Sequence, residues 1–101
     1  MEKRLPTYDI EAIKQAIGSE GTLAMTRTAI RDAKALGFDR GDVVGIIRGI
    51  GSRMFFKSMT TLADHHIWQD VYHVPIRDFV LYVKFQADLV TEFQVMSFKE
   101  K

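Results

Sequence analysis

The chain of 101 residues contains no cysteine. Disulfides and thiolate zinc sites are therefore excluded, and the composition is compatible with a reducing cytoplasm, the expected location. No run approaches the roughly 18 consecutive apolar residues that a membrane-spanning helix needs. The opening MEKRLPTYD carries charges with no apolar stretch behind them, so neither a membrane contact nor a signal peptide is expected. Charge of one sign is also lacking. A formal net charge of +1 rules out a bulk polycation, so any nucleic-acid contact must come from a local basic patch. Internal repeats, low-complexity segments, an HExxH pattern, a phosphate-loop glycine pattern and an obvious Ser-His-Asp set are all missing. What is present, 47% hydrophobic residues, suffices for a single domain over 1–101 with one core and not for two.

The first half of the chain has helical periodicity. Over residues 8–17, Ile10, Ile13 and Ile17 recur at helical spacing, with Asp9 as N-cap and Gly18 as stop. Residues 26–36 form a second helix with a narrow stripe of Ala29, Ile30, Ala33 and Leu36, ended by Gly37. Arg27, Arg31 and Lys34 line one side of it, either as a solvated face or as a surface that draws in phosphates. Asp39 caps a third helix to residue 50, with Asp42 at N3. That helix is expected to be the most buried, with Gly45 and Gly49 allowing close approach to a sheet. Helices are thus expected over about 8–50.

From residue 53 onward, alternation with period two replaces the helical stripe. Strands are expected over 55–61, 67–74, 78–87 and 93–99, with a turn at Pro75 and a hairpin turn at 88–92. Strict alternation groups Phe55, Lys57 and Met59 on one face of the first strand. On the last it turns Met96 and Phe98 inward. Helices first and an antiparallel sheet after predict an α+β fold with the helices packed on one face of a mainly antiparallel sheet.

A sheet covered on one side leaves the other face wet. If Phe79, Leu81, Val83 and Phe85 face the helices, Tyr82 and Lys84 face outward, and Lys99 joins them from the last strand. Lys57 and Gln69 fall on the same surface. Two cations, a phenol and an amide suit a phosphodiester: lysines neutralise nonbridging oxygens, a phenol or lysine moves protons, and an amide positions a base or ribose. By pattern alone, scattered lysines on a wet sheet face are more often solvating residues. His65 and His66, adjacent on an extended segment, are expected to point apart and to hold no metal. His73 reads as an exposed strand-end residue. Trp68 and Tyr72 share a strand face, as core packing or as stacking platforms.

The stretches FFKSMTT, HHIWQDVY and SFKEK, with the opening MEKR, the TRTA…LG segment and the VYHV and LYVK strands, resemble the MqsR (motility quorum-sensing regulator) toxin family. The resemblance spans essentially the whole chain. It implies a RelE-like, microbial ribonuclease-like fold and a sequence-selective mRNA endoribonuclease preferring GCU-type sites, with no cofactor assigned. The partner it implies is an MqsA-type antitoxin that binds zinc and DNA, so DNA would be reached only through the complex. Carried across motif by motif, the family's catalytic residues fall on Lys57, Gln69, Tyr82 and Lys99. The implied reaction is attack of a ribose 2′-OH on the adjacent phosphate, giving a cyclic phosphate and a free 5′-OH. Tyr82 would handle a proton, Lys57 and Lys99 would stabilise the phosphorane, and Gln69 would orient the RNA. An edge strand is expected to pair with a strand of the antitoxin. The sequence departs from the family's pattern in a more polar segment at 85–93 and in Phe56, which stands where a tyrosine is expected. Two other readings remain open: a non-catalytic RNA-binding module, and a co-regulator that acts only by binding the antitoxin.

Overall fold

Three helices cover one face of a five-stranded antiparallel sheet in a computed structural model that describes residues 1–88 and 91–101. The helices are α1 (Ile10–Ile17), α2 (Arg27–Ala35) and α3 (Arg40–Arg48). The strands are β1 (Glu2–Lys3), β2 (Phe55–Thr60), β3 (Trp68–Ile76), β4 (Phe79–Asp88) and β5 (Glu92–Glu100), and they lie side by side in chain order. No helix among the described residues is long and apolar enough to cross a membrane.

The helix boundaries follow from capping chemistry. The Asp9 carboxylate accepts from the Glu11 amide at 3.0 Å, and the Thr26 hydroxyl accepts from the Ala29 amide at 3.1 Å. Asp39 and Asp42 form a reciprocal capping box, each side chain accepting from the other's backbone amide at 2.8 and 3.0 Å. At the end of α2, Gly37 adopts φ +88°, and the amides of Gly37 and Phe38 return to the carbonyls of Lys34 and Ala33. Only a residue without a Cβ adopts that conformation cheaply, so the glycine stops the helix.

Ile13 and Ile17 of α1, Ala29 and Ala33 of α2, and Val43 and Ile47 of α3 pack onto Leu81, Val83 and Phe85 of β4 and Val95 and Phe98 of β5. Tyr72 sits among them, its ring edge-to-face with Phe55 and Phe85. Trp68 is on the same inner side of β3, under the Lys3 ammonium at 4.2 Å from its ring centre. The expected prominence of α3 is not found. Gly45 and Gly49 are exposed and do not approach the sheet; with Gly41 they line a surface groove of about 740 Å³ beside Pro75 and Phe79.

Four details depart from regular alternation. β1 was not expected, because two residues are too few to show periodicity. Pro75 lies within β3, opposite Val80, rather than at a turn. It sits past the end of β2, whose Phe55 is opposite Tyr72, so its missing N–H deprives no neighbouring strand. The chain turns instead at Arg77, with φ +20°. A bulge between Phe55 and Lys57 sends Phe55 to the core while Lys57 faces out, so the two do not share a face. A second bulge leaves Met96 without a partner on β4: Ser97 pairs with Lys84, and Val95 with Phe85. Phe93 and Val95 therefore join Phe98 on the inner side, and Met96 is half-buried. The hairpin turn expected at 88–92 falls partly on Leu89 and Val90, outside the described residues.

One polar cluster ties the N-terminal segment to the sheet. Asp70 is fully buried on the inner face of β3. Both its oxygens accept from the Thr7 amide, at 3.1 and 3.0 Å, and one also accepts from the Tyr8 amide at 2.9 Å. The Thr7 and Ser58 hydroxyls are bonded at 2.7 Å, and the Tyr8 hydroxyl donates to the Trp68 carbonyl at 2.7 Å. Among the described residues no buried side-chain polar atom lacks a partner. Hydrogen bonds to a charged acceptor contribute about 1.5–3 kcal/mol each, and a donor left unpaired in the interior costs a comparable amount. Asp70→Ala is therefore expected to lower the unfolding free energy by about 3 kcal/mol. In urea denaturation the midpoint should fall with little change in slope.

Candidate active site

The helix-free face of the sheet is organised in three cross-strand rows. The first runs from His73 on β3 through Tyr82 on β4 to Lys99 on β5. The second contains Lys57, Val71, Lys84 and Ser97, and the third Glu2, Met59, Gln69, Gln86 and Gln94. Successive rows are two residues apart along each strand, about 6.7 Å. The structure thus brings Lys57, Tyr82 and Lys99 into adjacent rows. Gln69 shares their face but lies two rows from Tyr82. The helices occupy the other side, so the exposed cations Arg27, Arg31 and Lys34 of α2 do not reach this surface, and Arg31 pairs with Asp32.

Each member is held by a neighbour. Lys57 Nζ forms an ion pair with Glu2 at 2.8 Å, and this pairing is the main reason the Glu2 carboxyl titrates below its ordinary value. The Lys99 ammonium lies 5.4 Å from the centre of the Tyr82 ring. Burial raises the Tyr82 phenol, an effect that Lys57 opposes and Glu2 reinforces. Gln69 is almost buried, and its amide nitrogen donates to the Gln86 side-chain oxygen at 2.8 Å. Val71 is buried between these polar rows although it lies outside the main core.

Three further residues complete the surface. His73 is not a strand-end residue: it lies well inside β3, at the start of the first row, half-buried. Its imidazole stacks on Phe56 with ring centres 4.1 Å apart and planes 22° apart, and the Tyr82 ring lies 6.1 Å away on its other side. Burial lowers its pKa, and the Lys101 and Lys57 cations lower it further. Phe56 carries the Lys57 ammonium at 5.4 Å and the Arg4 guanidinium at 5.5 Å over its ring. Lys84 lies in the second row, its pKa lowered by burial and by Lys99. Alternation from Gln69 through Val71 already puts His73 on this face; the signal was present in the sequence. Phe56 could not be placed that way, because the bulge is invisible to alternation.

His65 and His66 lie in the connection between β2 and β3 rather than on a strand, and they do not point apart. Their ring centres are 4.2 Å apart, and His66 Nδ1 is 3.1 Å from Asp64 Oδ1. Asp64, His65 and His66 each present a ligand-type atom within 4.8 Å of the others. This exposed group sits apart from the three rows.

A face with several cations, exposed aromatic surface and a phenol beside an imidazole is suited to a single nucleic-acid strand. Cations track the phosphates, rings stack on bases, and the titratable pair moves protons at the backbone. The comparisons with known proteins agree with this chemistry. The chain is 37% identical over 101 residues to the mRNA interferase toxin MqsR of Escherichia coli (strain K12), and the alignment covers 100% of both chains. The family described as "Motility quorum-sensing regulator, toxin of MqsA" matches residues 5–100. With nearly every residue accounted for by that match, the chain belongs to the MqsR toxin family.

Proposed function

We propose that this protein is the toxin half of a toxin–antitoxin pair and acts as an endoribonuclease on mRNA, cutting at GCU-type sites. The observation that carries the reading is the Tyr82–Lys99 cross-strand pair with Lys57 in the adjacent row, all on the sheet face that the helices leave free. In the proposed reaction a ribose 2′-oxygen bonds to the adjacent phosphorus and the bond to the 5′-oxygen breaks. The products are a 2′,3′-cyclic phosphate and a free 5′-OH. Lys57 and Lys99 neutralise the equatorial oxygens of the phosphorane in this reading, since its extra negative charge exists only in the transition state. Tyr82, kept protonated by burial, donates to the departing 5′-oxygen. Gln69, fixed by Gln86, positions the RNA two rows away. Phe56, 39% exposed and flanked by Arg4 and Lys57, offers a stacking surface for a base.

The proposed partner is an MqsA-type antitoxin that pairs a strand with one edge of the sheet, and the zinc- and DNA-binding functions belong to it. One edge is already partly filled, since the bridge of Met25 to Val95 and the bonds from Val95 to Ala24 and from Thr26 to Val95 run alongside β5. A messenger substrate and a chain without cysteine fit the cytoplasm.

Purified protein incubated with an RNA carrying one GCU and one scrambled site should cut at the first, leaving a cyclic phosphate and a 5′-OH in end mapping. Uncut RNA, or cuts without preference, would contradict the site assignment. Lys57→Ala and Tyr82→Phe, each folded, should reduce the cleavage rate by at least about 10²-fold while RNA binding partly survives. Equal losses of binding and cleavage would favour a binding module instead. Glu2→Gln removes the carboxylate that competes with phosphate for Lys57. It should tighten RNA binding about two- to five-fold at low salt, with the gain fading as salt is added. Unchanged affinity in filter binding would mean that the pair does not guard the site.

A further inference from the structure

The four residues assigned above leave one step without an agent. An ammonium, an amide and a phenol, in their ordinary forms, do not accept a proton near pH 7. Attack by the 2′-oxygen requires that something take its hydrogen. On this face the Glu2 carboxylate is held by Lys57 and titrates below its ordinary value, which makes it a weak base; the imidazole of His73, at the β3 end of the first row, is the better acceptor. It stands directly opposite Tyr82, with ring centres 6.1 Å apart, and Phe56 covers its other side at 4.1 Å. Two ring contacts fix its plane, so little reorganisation is needed when a ribose arrives.

We infer that His73 is the general base of the cleavage reaction, taking the proton of the 2′-OH while Tyr82 supplies one to the 5′-oxygen. The inference rests on the ribonuclease reading above. In the step, the 2′-O–H bond breaks and its proton passes to a ring nitrogen of His73. The oxygen's electron pair forms the 2′-O–P bond, the P–O5′ bond breaks, and the Tyr82 hydroxyl proton ends on the leaving oxygen. Imidazolium and phenolate are then reset by proton exchange with water, so no other reactant is consumed.

The surroundings favour this assignment in both protonation states. The charged and titratable groups around the imidazole are Lys57 from β2, with Glu2 of β1 paired to it, Arg4 over Phe56, Tyr82 and Lys84 from β4, Lys99 from β5, and Lys101 just past the end of β5. In the free protein burial, and after it the Lys101 and Lys57 cations, disfavour the charged ring and lower its pKa, which favours the neutral imidazole that can accept a proton. When RNA binds, its phosphates offset the lysines. As the phosphorane gains negative charge, an imidazolium beside it becomes favourable. Proton transfer is thus promoted as the transition state forms and not before it.

The test follows cleavage of a fluorescent RNA with one site by the full-length protein from about pH 5 to about pH 9. The apparent pKa of the acid limb of kcat/KM should lie below the ordinary histidine value of about 6.5. It should match the His73 titration read by NMR in the free wild-type protein. His73→Gln should lose about 10²- to 10⁴-fold in kcat and lose the acid limb, with KM little changed. Added imidazole should restore part of the activity of His73→Ala. A His73→Gln protein that cuts with wild-type kcat and keeps the limb overturns the assignment. So does a wild-type limb that does not coincide with the NMR titration, a comparison that stands even if the variants fail to fold. Wild-type protein that cuts no RNA at any pH overturns the ribonuclease reading itself, and with it the base.

Discussion

A carboxylate buried without partners would cost several kcal/mol, so Asp70 fixes much of the structure around it. It lies on β3, near the middle of the sheet, facing the helix layer, where water cannot solvate it. Its acceptors are filled by the amides of Thr7 and Tyr8, immediately before the Asp9 cap that starts α1. The same contact orders the segment between β1 and α1 and holds β1 near β2, where Met1 and Thr60 are also joined. Because side chains alternate along a strand, an inward Asp70 requires Gln69, Val71 and His73 to face outward. A carboxylate on the side of the sheet away from the site thus sets the phase of the strand that runs through it.

The working face is consequently a product of strand pairing. Tyr82 meets His73 and Lys99 because β4 lies between β3 and β5 in a fixed register. The charges are crowded for a surface that binds no ligand, and two devices make the crowding tolerable. Glu2 neutralises Lys57, and aromatic rings lie beneath Lys57, Lys99 and Arg4. Both are exposed interactions that a phosphate can replace at small cost.

The sequence exposed the helices well because their ends are set by local chemistry. Asp9, Thr26 and the Asp39–Asp42 box are short-range signals, and Gly37 does its work within its own residue. The outward set of Lys57, Gln69 and Tyr82 was legible because it depends on alternation within a strand. His73 obeyed the same rule but looked like the frayed end of a shorter strand. Neither the continuation of β3 through Pro75 nor the pairing that sustains it is a local property.

By itself the sequence determined the α+β order, the capped helices, the two-faced strands and, through its motifs, the resemblance to the MqsR toxins. Tertiary structure decided which face each aromatic takes near the bulges. It placed Phe55 in the core, set Phe56 against His73, and turned Phe93 and Val95 inward with Phe98. The physical reason is that a bulge is a mismatch between two strands. One chain carries a residue more than its partner can pair, and no periodicity within either strand records it.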